Sequence, residues 1–291
     1  MLILRRILRT GFQVGLVAAA TAWMAQGYAL AAHPPAPAPS PVICVQPSDD
    51  GYNVSLSDFS FHVGPTGSLT NVMACGQPLF ERAYLEVRDK TWHVRLQPQR
   101  QQVKAFPPYL DKDAQKFQFT IQMDDPGTGI RLAVDELVVV RPKAEVQVVL
   151  TVTPQAQFEA RRISWNVVFL AARFAGKACA WQSGKGPQST LQFPADRSSA
   201  PTLAHQFDWL RLNAGDGPVD FRFEASDPKN KTVLPDCLLE DLRWWNSPNF
   251  WIADSFPYPH QDADPEKPME VAPGDAKTLR ITMVLHCGDK S

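Results

Sequence analysis

The chain has 291 residues, 44% hydrophobic and 20% charged, with 29 Lys and Arg against 30 Asp and Glu for a formal net charge of −1. Basic residues scattered through a near-neutral sum leave no footprint for a phosphate backbone, so nucleic acid is not an expected partner. No C-x-x-C, G-x-S-x-G, H-E-x-x-H or P-loop occurs, so zinc-ribbon, thioredoxin-like, serine hydrolase, zincin and nucleotide roles lack a motif, and no cofactor or metal is expected.

Residues 1–31 read as a signal peptide. Arg5, Arg6 and Arg9 form a positive n-region, an apolar run follows from about Phe12 to Met24, and Ala29-Leu30-Ala31 fits a cleavage site before Ala32. The run is short and broken by Gly11, Gln13, Gly15 and Gln26, so no stable membrane span is expected after cleavage. Export to the periplasm or the extracellular space follows. Residues 32–41, containing HPPAPAPSP, alternate Pro with small residues and predict a stiff, extended spacer. Residues 42–291 then form one domain. Its cysteines, Cys44, Cys75, Cys179, Cys237 and Cys287, suit disulfides in an exported protein, with the pairing open and buried thiols as the alternative.

Along that domain the hydrophobic period is two. Trp92, Val94 and Leu96 alternate with His93, Arg95 and Gln97; Phe117, Phe119, Ile121 and Met123 alternate with polar residues; so do Val219, Phe221 and Phe223, and Leu279, Ile281 and Met283. Leu137–Val140 and Val146–Val152 are nearly continuous and β-branched, which predicts strands covered on both faces. Turns are expected at Asp125-Pro126-Gly127, Arg141-Pro142, Gly215-Asp216-Gly217-Pro218, Asp227-Pro228 and Pro273-Gly274. The fold class is all-β, a large antiparallel sandwich.

Near the C-terminus, Asp241–Asp275 holds Trp244, Trp245 and Trp251 within eight residues, with Phe250, Phe256, Tyr258 and His260 close by. Flat aromatic faces beside Arg243, Asp254 and His260 suit a sugar, which has apolar C–H faces and a hydroxyl edge. These six, Trp244, Trp245, Trp251, Arg243, Asp254 and His260, are the candidate ligand-binding residues. Each has a structural alternative. Adjacent tryptophans on a strand point to opposite faces, so one faces the core; Asp254 caps a turn; Asp241 and Arg243 form a charge pair. The acidic loop around Asp262, Asp264 and Glu266 lacks the glycine and remaining ligands of a calcium loop and reads as solvated.

The order of these segments resembles the galactose-mutarotase-like (aldose epimerase-like) superfamily. Gly67-Ser68-Leu69-Thr70-Asn71 followed by Cys75-Gly76-Gln77-Pro78-Leu79 looks like its opening hairpin, Val148–Phe169 like its long paired central strands, and Phe250–Leu285 like its closing segment. The resemblance implies a β-supersandwich with a broad groove across one face. It also implies epimerase chemistry from a His and a carboxylate. Here the stretch matching the family's Asn-His-Thr-type motif is Ile163-Ser164-Trp165-Asn166-Val167, without His, and Asp254 is the acid near the position of the closing Glu. If an acid is present, His205 and His260 are its candidates. The expected function is therefore an exported, non-catalytic carbohydrate-binding β-sandwich. Two alternatives stand beside it, a carbohydrate-active enzyme (aldose epimerase or polysaccharide-processing) and a structural domain of the cell envelope.

Overall fold

The computed structural model describes residues 42–286 except 57, 215–216, 228–232 and 265, and of Ala214 and Ala263 the backbone alone. All the described residues belong to one compact unit, Ser40–Ser291. The expected signal peptide, nearly all of the spacer, and Cys287 lie outside the described residues, as do residues 215–216 and 228 of two expected turns.

The strands run in chain order as β1 (Cys44–Ser48), β2 (Gly51–Leu56), β3 (Phe59–Val63), β4 (Leu69–Ala74), β5 (Gln77–Asp89), β6 (Arg95–Leu96) and β7 (Val103–Ala105). Next come β8 (Tyr109–Asp111), β9 (Ala114–Asp125), β10 (Ile130–Arg141), β11 (Glu145–Pro154), β12 (Phe158–Leu170), β13 (Ala178–Gln182) and β14 (Ser189–Gln192). The last are β15 (Thr202–His205), β16 (Trp209–Ala214), β17 (Gly217–Ser226), β18 (Asp236–Asp241), β19 (Asn249–Ser255), β20 (Met269–Val271) and β21 (Lys277–Leu285). One helical turn, α1 (Ala171–Phe174), follows β12. No helix among the described residues is long and apolar enough to cross a membrane.

Two antiparallel sheets result. Sheet I has the order β1-β2-β3-β4-β5-β12-β19-β18-β15, with β20 beside β12 and β6 beside β5; sheet II has the order β14-β13-β16-β17-β21-β11-β10-β9-β7, with β8 beside β9. Alternation decides which residues face inward. Phe117, Phe119, Ile121 and Met123 are all buried, as are Val219, Phe221, Phe223, Leu279, Ile281 and Met283. They join Val54, Phe61, Val87 and Trp165 of sheet I in one core. Tyr52 against Phe117 at 5.6 Å and Phe80 against Phe221 at 6.5 Å pack one sheet onto the other. Each such large side chain contributes ~1.5–3 kcal/mol by burial.

The expected opening hairpin forms. Ala74 pairs with Gln77 across Cys75 (φ 48°) and Gly76 (φ 74°), the two left-handed residues that a tight hairpin turn needs. Cys75 is disulfide-bonded, while Cys44, Cys179 and Cys237 are free thiols.

Three expectations change. The long strands within Val148–Phe169 do not pair with each other: β11 pairs with β10 and β21 in sheet II, and β12 with β5 and β19 in sheet I. The three residues between them carry the chain across the sandwich. Complete coverage also falls elsewhere than Val146–Val152, which alternates between buried and half-buried; β12 is buried at every position from Ile163 to Phe169. Finally, the strand expected from Trp92 is only Arg95–Leu96. Trp92 has φ 65°, in a turn that the Asp89 carboxylate ties together by accepting from Thr91 N–H at 3.1 Å and Val94 N–H at 2.7 Å.

Candidate ligand site on the outer face of sheet I

On β12 the core-facing residues are Ile163, Trp165, Val167 and Phe169, so Arg162, Ser164, Asn166 and Val168 face away from the core. Register extends this outer face across four strands. Glu86, Ser164, Ser255 and Asp236 lie in one row; Tyr84, Asn166, Ala253 and Leu238 in the next; Arg82, Val168, Trp251 and Glu240 in a third; Arg88 and Arg162 stand beyond the first. At about 4.8 Å between strands, each full row spans about 14 Å. The centre is built of short side chains, Ser164, Asn166, Ala253 and Ser255, all at most 4% exposed although they point away from the core. Longer residues around them supply that cover.

The rim is charged and aromatic. The Arg162 guanidinium lies between the rings of Trp92 and Trp251, at 5.3 and 5.0 Å from their centroids. Burial pulls its pKa below the usual guanidinium range, and the fields of Glu240, Asp236 and Glu86 oppose that shift. The buried Glu86 carboxylate accepts from Arg88 Nε at 2.6 Å, from Arg95 Nε and from Gln97 Nε2 at 3.2 Å. Arg95 Nη2 donates to the Tyr84 hydroxyl at 2.5 Å, and Arg82 stacks on the Tyr84 ring at 4.7 Å. Burial raises the pKa of Glu240, with Arg162 acting against it.

Two donors are left over. Ser164 Oγ donates to Asn166 Oδ1 at 3.0 Å, which leaves the buried Asn166 Nδ2 without an acceptor; Arg162 Nη1 is likewise buried and unpartnered. An unmade hydrogen bond at a buried donor costs ~1–3 kcal/mol. Such a face suits a ligand that offers acceptors to the floor and an apolar ring face to the tryptophans.

Of the six residues singled out in the sequence, Trp251 is on this face. Trp244 and Trp245 are not on a strand but in a 3-10 turn, Leu242–Trp245, so they do not point to opposite faces; they are 36% and 57% exposed. Trp244 Nε1 donates to the Ser198 carbonyl at 3.1 Å, and Arg197 stacks on its ring. Arg243 is a brace. It donates twice to Asp241 at 2.8 Å, donates to the carbonyls of Pro194, Ala195 and Asp196, and covers Phe250. Burial alone would raise the Asp241 pKa; the bonds from Arg243 and from the Ser198 backbone outweigh it and bring it to about 2.

Asp254 pairs with Trp165 and Cys237, both core residues, so its side chain enters the interior and is 0% exposed. Its partner is Cys237, whose thiol donates at 3.3 Å, while its Oδ2 has none. Burial raises its pKa to about 8. Among the described residues no histidine hydrogen-bonds it, so the carboxylate–His pair anticipated for an epimerase is not assembled there. His260 lies in the loop after β19, with Nδ1 at 2.6 Å from the Lys267 carbonyl, and lines a recess of about 400 Å³ with Asp262 and Glu270. His205 is exposed on β15.

On sheet II a recess of about 520 Å³ contains Trp209, Arg211 and Asp220. There Arg211 donates to both Asp220 oxygens at 2.6 and 2.7 Å, so these charges already satisfy one another.

The sequence did not single out Tyr84, Glu86, Arg88 and Arg162, and marked Ser164 and Asn166 only as the stretch matching the family's Asn-His-Thr-type motif. The signal was present as polar residues at every second position of two strands whose other positions, Leu85, Val87, Ile163 and Trp165, are core.

The family described as D-apionate lactonase, N-terminal domain, matches residues 46–224. No curated protein matches the chain. Among solved structures, galactose 1-epimerase from Lactobacillus acidophilus NCFM is similar at TM-score 0.53 and 10% identity, covering 85% of this chain and 99% of that one. An aldose epimerase homologue from C. elegans is similar at TM-score 0.44 and 9% identity, over 86% and 100% of the two chains. Heparinase III is similar at TM-score 0.42 and 9% identity, over 85% of this chain and 35% of its own. The fold is galactose-mutarotase-like, as the segment order implied.

Proposed function

Because this chain belongs to the D-apionate lactonase N-terminal-domain family, we propose that it is an exported, non-catalytic carbohydrate-binding protein whose sugar lies on the outer face of sheet I. One observation carries the reading: two buried, unpartnered donors, Arg162 Nη1 and Asn166 Nδ2, share a face with Trp92 and Trp251. A sugar ring offers oxygen acceptors to the first pair and C–H faces to the second. The D-apionate lactonase family and the similarity to a galactose 1-epimerase agree with the carbohydrate part of this reading. Export is supported by the signal-like N-terminus and the disulfide at Cys75. Non-catalytic binding is supported by the serine-and-asparagine floor, which lacks the histidine of the epimerase motif. The test is calorimetric titration with a monosaccharide panel. Trp251→Ala and Trp92→Ala should each weaken binding about tenfold or more while circular dichroism is unchanged. Full affinity in both variants would end the assignment of this face.

A carbohydrate-active enzyme is favoured by one observation. Glu240 is half-buried on the same face, with its pKa raised by burial and lowered in part by the field of Arg162. NMR of α/β anomer exchange, with Glu240→Gln as control, decides between the two. Acceleration by the wild type that the variant lacks would replace the non-catalytic reading.

A further inference from the structure

Within the carbohydrate reading, on which this inference rests, the geometry points to a sugar that carries a carboxylate, held by Arg162. The Arg162 and Trp251 side chains lean toward each other across the floor of Ser164, Ser255, Asn166 and Ala253, bringing the guanidinium to 5.0 Å from the indole. Among the described residues no carboxylate comes within 4.0 Å of the Arg162 nitrogens, and Nη1 donates to nothing. Glu86 is taken by Arg88, Arg95 and Gln97, and Glu240 and Asp236 act on Arg162 only through space. A guanidinium withdrawn from water without an ion pair is under-compensated, and an anion on its free edge relieves it.

The surroundings agree. Arg82, Arg88, Arg95 and Arg162 stand against Glu86, Asp236 and Glu240 on this face, in a chain whose net charge is −1. Both unpartnered groups are donors, so the ligand is asked for acceptors only. A hydroxyl accepts from the guanidinium without neutralising it, whereas a carboxylate adds the opposite charge and can accept two parallel N–H groups of the planar fork. The tryptophan rings on which the guanidinium stacks supply it with no competing acceptor.

The experiment titrates the full chain with D-galacturonate against D-galactose, and D-glucuronate against D-glucose, pairs that differ only at C6. The uronates should bind about tenfold more tightly than their neutral counterparts, with an advantage that shrinks as salt is added. In Arg162→Gln the ratio should fall toward one, and Arg162→Lys, which keeps the charge but not the planar fork, should fall between. If Arg162→Gln does not fold, the Lys variant and the salt dependence still decide. Neutral sugars bound as tightly as uronates would overturn this inference and leave the carbohydrate reading standing. No binding by any of the four would overturn both.

Discussion

Replacing Asp254 with Asn keeps the shape of the side chain and removes its titration. The wild-type carboxyl is wholly buried beside Cys237, and burial raises its pKa from 3.8 to about 8. Between those values the folded protein holds a proton that the unfolded chain has released. Stability is therefore greatest below about pH 4, falls as pH rises, and levels off above about pH 8. Glu136 of β10, buried against Gly67, has its pKa raised by burial to about 8 and adds the same sign. Each group contributes a slope of about 1.4 kcal/mol per pH unit, so the pair gives about 2.7. For Asp254 alone the whole window amounts to several kcal/mol, on the order of the net stability of many domains. Asp89, Asp220 and Asp241 have lowered pKa values, so their contributions change only below about pH 4. Asp254→Asn should accordingly lower the slope by about 1.4 kcal/mol per pH unit, whatever its offset at one pH. Urea unfolding followed by tryptophan fluorescence from about pH 5 to about pH 7.5 measures it. A slope equal to wild type would refute a protonated Asp254 in the folded state.

Gly67 has φ 81°, and an added Cβ would sit 2.4 Å from Glu136 Oε2; Gly67→Ala should cost about 2–4 kcal/mol, and a thermal midpoint within about 1 °C of wild type would contradict it. The Asp241 carboxylate, held at about 2, contributes about 2 kcal/mol above pH 4 that is lost as pH falls toward 2. Asp241→Asn should lose that stability at neutral pH and flatten the acid limb of the unfolding curve, and an unaltered acid limb would count against the Arg243 brace. Cys44 is exposed, while burial raises the Cys179 thiol to about 12 and holds the Cys237 thiol well above its ordinary range. Alkylation mapped by mass spectrometry should label Cys44 in the folded protein and the other two only after unfolding; early labelling of Cys237 would mean that the Asp254 pocket opens.

The all-β class, the strand faces at Phe117–Met123 and Leu279–Met283 and the Cys75-Gly76 hairpin were legible in the amino-acid order, because side-chain alternation and left-handed turn residues are local properties. The segment order also carried the mutarotase-like resemblance. The candidate site was legible only in part. Trp251 stood out as an aromatic, but Asp254 looked like an accessible carboxylate until pairing with Trp165 and Cys237 turned it inward. Trp244 and Trp245 looked like strand residues until a 3-10 turn exposed both. Arg162, Asn166, Glu86 and Glu240 meet on one face because β5, β12, β19 and β18, segments far apart in the chain, lie side by side. Period two determines which residues share a face of their own strand. Which strands become neighbours, and at what register, is set by long-range packing of the core, and only that brings a guanidinium between two tryptophans sixty or more residues apart from one another.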